Sequence, residues 1–371
     1  MKVVIERGTL LKALSHVQSV VERRNTIPIL SNVLLRAEGG TLSLTATDLD
    51  IEIVENVPAD AEQPGAATAA AVTLFDIVKK LPDGTQVVLE RLPAGRLKLT
   101  APHSEFSLAV LPEDDFPSLP QADEGRRFTI GTAQLARLID KTKFAMSQEE
   151  TRYYLNGIYL HAHEADGQTA LRAVATDGHR LARLESELPE GAQGLEGIII
   201  PRKAVVELRR LLDDAGDTVD VLVASGRVRF AFDDIMLTTK LIDGTFPDYA
   251  RVIPQANDKV MRVSPGAFAT SVDRVSTISA DKTRSVKLAL ENDRLTLNVN
   301  SPETGTATED LGVDYDGEAI EIGFNARYLL DITGQIDGET ATFAFADTAS
   351  PTLIKDDDDP HALYVLMPLR V

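Results

Sequence analysis

The sequence has no cysteine and no tryptophan among its 371 residues, and aromatic side chains make up only 5% of it. Without cysteine there is no disulfide framework and no thiolate metal site. Without tryptophan, and with so few other rings, little is on offer for stacking on bases. No stretch of 18 consecutive apolar residues occurs, so no membrane-spanning helix is expected. The apolar stretch Val3–Ile5 ends at Glu6, far too soon for a signal-peptide core. These absences predict a cytoplasmic location and no membrane partner. A GxxxxGK[ST] phosphate loop, a GxGxxG turn and a GxSxG elbow are all missing. Positive charge is scarce as well. The 38 Lys and Arg face 57 Asp and Glu, a net charge of −19, which taken as a sum argues against a polyanionic partner.

What is present is a weak threefold repeat. Six stretches carry apolar residues at helical spacing, and they come in pairs: 8–24 with 73–82, 132–148 with 202–214, and 264–280 with 325–336. Their apolar faces include Leu10, Leu14, Val17 and Val21, then Leu135, Leu138, Ile139 and Met146, then Phe268, Val272 and Val275. Start signals stand ahead of several: Ser264 before Pro265, Asn325 as a cap, and Thr73 with Asp76 in capping-box spacing. Alternating, strand-like segments fill the space between, among them 33–37, 41–46, 157–162, 169–175, 286–290 and 294–299.

Landmarks recur along the chain. Thr47-Asp48 matches Thr176-Asp177, Phe116-Pro117 matches Phe246-Pro247, and LAVLP (108–112), TTKLID (238–243) and YVLMP (364–368) end the three units alike. A period of about 125–130 residues is too long for a solenoid repeat. Each unit is therefore read as an α+β domain, with bounds at 1–122, 127–250 and 258–371.

The sum of charges hides their placement. The six helical stretches hold 14 basic residues and 8 acidic ones, whereas the rest of the chain holds 24 and 49. The helices are thus cationic within an anionic molecule. If they share a face, that face attracts phosphate without reading sequence, since no base-reading motif accompanies it.

Catalytic constellations are thin. His161 and His163 alternate on one strand and so face the same way, but they lack a third ligand. Asp48 and Asp50 have a similar spacing but no EF-hand context, and the acidic run 356–359 reads as a solvated loop, so no metal or cofactor is expected. Asp177 and His179 in ATDGHRL form the most enzyme-like pair, yet no nucleophile stands beside them and Asp-Gly marks a turn. An acidic hydrolase using that pair, and a monomeric repeat scaffold, are the competing readings. Neither is favoured, and the chain is read as no enzyme.

The blocks TIPILSN (26–32), TLSLTATDLDIE (41–52), RYYLNG (152–157), ATDGHRLA (175–182), PRKAVVEL (201–208), DGTFPDY (243–249) and YVLMPLR (364–370) resemble, in order and over essentially the whole chain, the bacterial DNA polymerase III beta-subunit clamp family. The resemblance implies three repeated domains of the DNA clamp fold. It implies a head-to-tail homodimer forming a six-domain ring, with helices lining the hole. The function it implies is that of a polymerase processivity factor that encircles double-stranded DNA.

The implied partners are a clamp loader, the DNA polymerase III catalytic subunit, other polymerases, and mismatch-repair and ligase proteins carrying clamp-binding peptides. Family DNA contacts map onto Arg24, Arg152, Tyr153, Tyr154 and Lys203. Glu149 stands where relatives often have glutamine, so it is left out of that set. The family peptide pocket maps first onto an apolar wall of Leu155, Leu181, Pro247, Val252 and Val365, with Met367 as an adaptable filler. Around it fall Thr176, Gly178, His179, Arg180 and Arg251, then Asn325, Tyr328 and Ser350, and finally Pro368, Leu369 and Arg370. Thr283 replaces an aromatic found at the rim in some relatives. The dimer contact maps onto Phe106 and Leu108 on one side and onto Thr277 and Ile278 on the other.

Overall fold

Six times among the described residues a β-strand runs into an α-helix with at most one residue between them. The strand Lys2–Glu6 leads into α1 (Arg7–Val17), Gly65–Ala70 into α2 (Ala71–Lys80), and Arg126–Gly131 into α3 (Thr132–Asp140). Ile198–Pro201 leads into α4 (Arg202–Leu211), Lys259–Val263 into α5 (Pro265–Ser276), and Ile320–Asn325 into α6 (Ala326–Thr333). At least three strands follow each helix. The threefold repeat of the sequence is therefore a sixfold strand–helix–strands repeat, taken two to a domain. The structure is a computed structural model, and it describes residues 1–22, 26–93, 95–120, 124–165, 167–279 and 285–370.

The helices bury the faces that the spacing predicts. Leu10, Leu14 and Val17 of α1, Leu135 and Leu138 of α3, and Phe268, Val272 and Val275 of α5 are all buried. The helix limits are shorter than expected. α1 stops at Val17 and passes into a 3-10 turn at Gln18–Val20, and α3 stops at Asp140 before a second such turn at Lys143–Ala145.

Two of the three start signals act differently from the expectation. α2 begins at Ala71, straight from its strand, with no side-chain cap, so Thr73 and Asp76 lie inside the helix and form no capping box. Ser264 is the cap residue of α5, but its hydroxyl makes no capping bond; Pro265 at the first position presets the backbone instead. Asn325 does cap α6, its side chain accepting from Arg327 N and Tyr328 N. α1 is capped by Glu6, whose Oε2 accepts from Thr9 N at 2.8 Å.

The chain separates into two compact units. One holds residues 1–135, 189–192 and 203–241; the other holds 136–188, 193–202 and 242–371. The first contains an eight-stranded sheet in the order 126–131, 218–224, 227–232, 235–240, 51–58, 41–47, 32–38, 65–70, and a five-stranded sheet that ends in the edge strand Ser104–Ala109. There α1 packs on Ile51–Pro58, Thr41–Thr47 and α2. The second unit repeats the plan with an eight-stranded sheet in the order 198–201, 157–165, 168–176, 180–187, 359–366, 352–356, 341–345, 259–263, and a four-stranded sheet. There α5 packs on α6 and on the strands 294–301 and 305–312.

The recurring Thr-Asp pair is one turn built twice. Thr47 Oγ1 donates to Ile51 O and accepts from Leu49 N, while Asp48 Oδ1 accepts from Asp50 N and Ile51 N. Thr176 Oγ1 donates to Arg180 O and accepts from Gly178 N, while Asp177 Oδ1 accepts from His179 N and Arg180 N. The third residue needs positive φ in both: +81° at Leu49 and +87° at Gly178. Glycine adopts that conformation freely, and leucine only under strain.

Candidate functional site

The residues mapped as DNA contacts divide sharply. Arg24 lies outside the described residues. Lys203, in the first turn of α4, is held by carboxylates: its Nζ lies 2.5 Å from Asp48 Oδ2 and 3.2 Å from Glu22 Oε1, and it donates to Val20 O at 3.0 Å. Burial pulls its pKa down, but Asp48 and then Glu22 outweigh burial and raise it, so the ammonium stays charged. Arg152 is forked onto Glu149, Nε to Oε2 at 2.8 Å and Nη2 to Oε1 at 2.7 Å. That bond is the main reason the Glu149 carboxyl sits below its ordinary value. The glutamate set aside on family grounds therefore neutralises one of the cations. Tyr153 is 52% exposed and meets the half-buried Tyr154 edge to face at 5.8 Å.

The helix cations as a set are largely paired. Lys12 pairs with Asp214, Arg137 with Asp359, Lys141 with Asp337, Arg209 with Asp213, Arg210 with Glu207 and Arg274 with Glu309. Lys79, Lys80 and Arg327 are exposed, and none has a carboxylate partner among the described residues.

The seventeen residues mapped to the peptide pocket sort into three groups, all within one unit. Leu155, Leu181 and Val365 are buried, in one cluster with Val174, Ile199, Phe246, Tyr249, Ile253 and Leu363. They form a floor and not an open wall: Leu181 and Val365 lie on paired strands inside the sheet, and Leu155, at the end of the 3-10 turn Glu150–Leu155, packs against them. The exposed apolar members of the set are Pro247, Val252 (49% exposed) and Met367 (38% exposed). His179 O accepts from Met367 N at 2.8 Å, tying the end of the chain to the turn at Gly178.

The third group is polar, and much of it is already engaged. Arg180 keeps only 9% of its side chain exposed. It donates to Asp177 Oδ2 at 3.1 Å, Asp331 Oδ2 at 2.6 Å and Phe144 O at 2.7 Å, with its guanidinium 4.2 Å from the ring centre of Tyr328. Asn325 Oδ1 is the α6 cap. Ser350 is folded onto Asp347, and Arg251 pairs with Asp248 in the open. Thr176 is buried in its turn. His179, Arg180 and Tyr328 line a cleft of about 480 Å³ together with Arg202, Arg327 and Glu149. Pro368, Leu369 and Arg370 line a separate one with Lys287 and Glu321.

Asp177, the acid of the hydrolase reading, directs its carboxylate at its own turn and at Arg180. Phe106 and Leu108 are half-buried on the edge strand Ser104–Ala109, Thr277 is exposed just past α5, and Ile278 is half-buried.

Three family models match end to end. The DNA polymerase III beta subunit N-terminal domain matches residues 1–120, the central domain 129–248 and the C-terminal domain 250–370. The chain belongs to the DNA polymerase III beta subunit family. It is 58% identical to the beta sliding clamp of Caulobacter vibrioides and 38% identical to that of Escherichia coli, each over 100% of both chains. Among solved structures, the C. crescentus beta sliding clamp superposes with a TM-score of 0.98, at 58% identity over 100% of this chain and 99% of that one. A Bartonella birtlesii sliding clamp bound to griselimycin also gives 0.98, at 47% identity over 100% of both.

In a beta subunit chain, the stretches matched by successive models must be joined, and each joint here lies within one unit. N-terminal to central, Ile51–Pro58 pairs antiparallel with Ile235–Lys240, and His16 of α1 reaches the turn after α4. Its Nε2 lies 2.9 Å from Asp214 Oδ2, and its Nδ1 lies 2.8 Å from Glu55 Oε2. Central to C-terminal, Arg180–Glu187 pairs antiparallel with Asp359–Leu366. There Lys141 donates to Gln335 O and to Asp337 Oδ2, and Arg180 to Asp331.

Sequence reasoning missed both joints. The acids of the Lys203 cluster, Glu22 and Asp48, are far from it in sequence and left no local signal. Glu149, three residues before Arg152, and Asp177, three before Arg180, were partners that spacing alone offered.

Proposed function

We propose that the chain is a DNA polymerase processivity factor that acts as a sliding clamp. Two copies close head to tail into a ring of six clamp domains, bounded at 1–122, 127–250 and 258–371 in each chain, around duplex DNA of any sequence. The observation that carries the reading is the ordered match of all three family domains from residue 1 to 370. Topology, not tight binding, holds such a ring on its template.

The paired state of Lys203 and Arg152 supports this. A cation that already holds a carboxylate releases few counterions when it meets phosphate, so its attraction is weak and shallow in salt. Weak contacts let a ring move. On this reading Arg24, Arg152, Tyr153, Tyr154 and Lys203 face the duplex, and Phe106 and Leu108 of one copy meet Thr277 and Ile278 of the other. Pro247, Val252 and Met367, with the buried floor of Leu155, Leu181 and Val365, receive the apolar anchors of polymerase, mismatch-repair and ligase peptides.

A clamp loader supplies the energy for opening, and the protein works in the cytoplasm without catalysing a reaction. Asp177 fits that last point, since its carboxylate serves the turn and Arg180.

The test is retention on DNA after loading. Clamp loaded on closed circular duplex should stay through a high-salt wash, and linearising the circle should release it from the ends. Equal retention on both forms, or on neither, would overturn the ring.

A further inference from the structure

The segment 246–253 divides its side chains by direction. Phe246, Tyr249 and Ile253 are buried, while Pro247, Arg251 and Val252 are exposed. The exposed members are three of the residues assigned above to the peptide surface, so whatever fixes the buried members sets the shape of that surface.

Two contacts fix them. Phe246 stacks on Tyr159, with ring centres 4.8 Å apart and planes 3° from parallel. Tyr249 is held through its hydroxyl, which lies 2.9 Å from His161 Nε2 and 3.2 Å from Arg172 Nη1.

The protons in this group follow from its partners. His161 Nδ1 lies 2.8 Å from Ala162 O, and a carbonyl only accepts, so Nδ1 carries the hydrogen. Nε2 is then a bare acceptor, and the Tyr249 hydroxyl donates to it. The Tyr249 oxygen accepts from Arg172 Nη1, and Arg172 Nε donates to Glu185 Oε1 at 2.6 Å. Strand register puts His161 opposite Arg172, and Arg172 opposite Glu185. With neutral imidazole every group in the relay is used, since the hydroxyl both donates to Nε2 and accepts from Arg172.

We propose that His161 and Tyr249 are positioning residues for the peptide surface. The relay from Ala162 O through His161, Tyr249 and Arg172 to Glu185 locks the turn at Tyr249–Val252, so that Pro247 and Val252 face outward for the apolar anchor of a partner peptide. The proposal rests on the peptide-binding reading above and adds an acid limit to it. Burial, opposed by the Ala162 carbonyl and helped by Arg172 and His163, holds the His161 pKa below its ordinary value, and Glu185 acts weakly the other way. His163, Arg172, Arg183 and Glu185 are the charged or titratable groups that the neighbouring strands bring to this site. Protonation, which burial delays to below the ordinary histidine range, turns Nε2 into a donor, leaves the hydroxyl proton without its acceptor and sets an imidazolium beside Arg172. The lock then weakens and the turn loosens.

The test uses the full-length protein and a fluorescent hexapeptide with a glutamine and a Leu-Phe pair, followed by anisotropy at pH 7.5 and at steps downward over the acid range in which the protein stays folded. Wild-type affinity should fall roughly fivefold, the size of one neutral hydrogen bond, across the step in which His161 protonates, below the ordinary histidine range. Tyr249→Phe keeps the ring, and should bind roughly fivefold more weakly at pH 7.5 with the pH step gone. His161→Gln offers an amide oxygen in place of Nε2, and should bind like wild type at pH 7.5 and also lose the step. Wild-type affinity in Tyr249→Phe at pH 7.5, or an unchanged pH step in both variants, overturns the proposal. A different result marks failure of the underlying reading: if Val252→Asp binds the peptide as well as wild type, the peptide surface itself is misplaced, and the relay has nothing to position.

Discussion

The two joints between successive family domains share a plan and differ in chemistry. Each is closed once by a pair of antiparallel strands and once by side chains from helices and the turns after them. In the N-terminal to central joint the centre is a histidine only 3% exposed, with a carboxylate oxygen within 3 Å of each ring nitrogen. Carboxylates only accept, so both nitrogens must carry hydrogen and the imidazole is held as its cation. Arg210 backs this arrangement, donating to Ser15 O and His16 O, and Glu207 accepts from Ser19. In the central to C-terminal joint the same place is filled by Lys141, Arg137 and Arg180. A repeat that reproduces backbone geometry closely has thus placed a titratable lock in one joint and lysine and arginine in the other. The strands fix how the domains align; the side chains fix the conditions under which they stay closed.

The largest expected effect separates the joints by stability. His16→Ala leaves Glu55, itself buried, without its partner, and breaking a buried pair costs about 3–4 kcal/mol. Lys141→Met keeps the apolar stem and loses a charge-assisted bond to Gln335 O, with a partner in Asp337 that is well exposed, at a cost of about 1–2 kcal/mol. Native-state hydrogen exchange of α1 and α4 amides in the first variant, and of α3 and α6 amides in the second, measures both. A reversed order would remove His16 from the centre of its joint.

A smaller effect comes from pH. Burial alone would lower the His16 pKa, but the bonds and charges of Glu55 and then Asp214 outweigh it and leave it raised. A raised histidine adds stability that is complete below its unfolded value, about 6.5, and is lost as pH climbs through the folded one. Asp214 is lowered, first by its bond to His16 and then by Lys12, so its share is present above its unfolded value and is lost only as acid reaches the folded one. The other groups facing this joint are Arg210 and Glu207, while α2 offers Asp76, Lys79 and Lys80, all exposed, and Thr41–Thr47 offers no titratable side chain. Raising the pH from 6 to 9 should therefore speed exchange in α1 and α4 relative to α3 and α6. Side chains of lysine and arginine type titrate above that range. Parallel acceleration in both joints would erase the distinction.

Both joints escaped the sequence, and the reason is physical. Helical period, strand alternation and the Thr-Asp turns are local, so six helices, their buried faces and the repeat were legible from Leu10, Phe268 or Thr176 and their near neighbours. His16 and Asp214 are 198 residues apart, and Lys141 and Asp337 are 196 apart; no spacing rule joins them. The site shows the same limit. Motif blocks located Lys203, Arg152 and Arg180, but not that each already holds a carboxylate. Leu155, Leu181 and Val365 were legible as apolar, yet their place beneath the surface follows from packing against residues distant in sequence, such as Phe246 and Tyr249. The cap error at Thr73 has the same non-local origin. A strand that runs straight into α2 makes Thr73 an interior residue, because tertiary pairing of Gly65–Ala70 sets the helix start.

The smallest expected effect tests whether Asp214 truly works through His16. Lys12 Nζ lies 3.2 Å from Asp214 Oδ1, and both side chains are about half exposed. Exposed pairs of this kind contribute about 0.3 kcal/mol, so Lys12→Ala should barely change the stability of the joint at pH 6. It removes a cation that competes with the imidazolium for the same carboxylate. Asp214 then belongs to His16 alone, the histidine pKa rises further, and the pH at which α1 and α4 begin to loosen moves upward. An NMR titration of the His16 ring, run beside the exchange series, reads the shift directly. If the midpoint stays put or moves down, Asp214 is a surface partner of Lys12 and the lock consists of Glu55 and His16 alone.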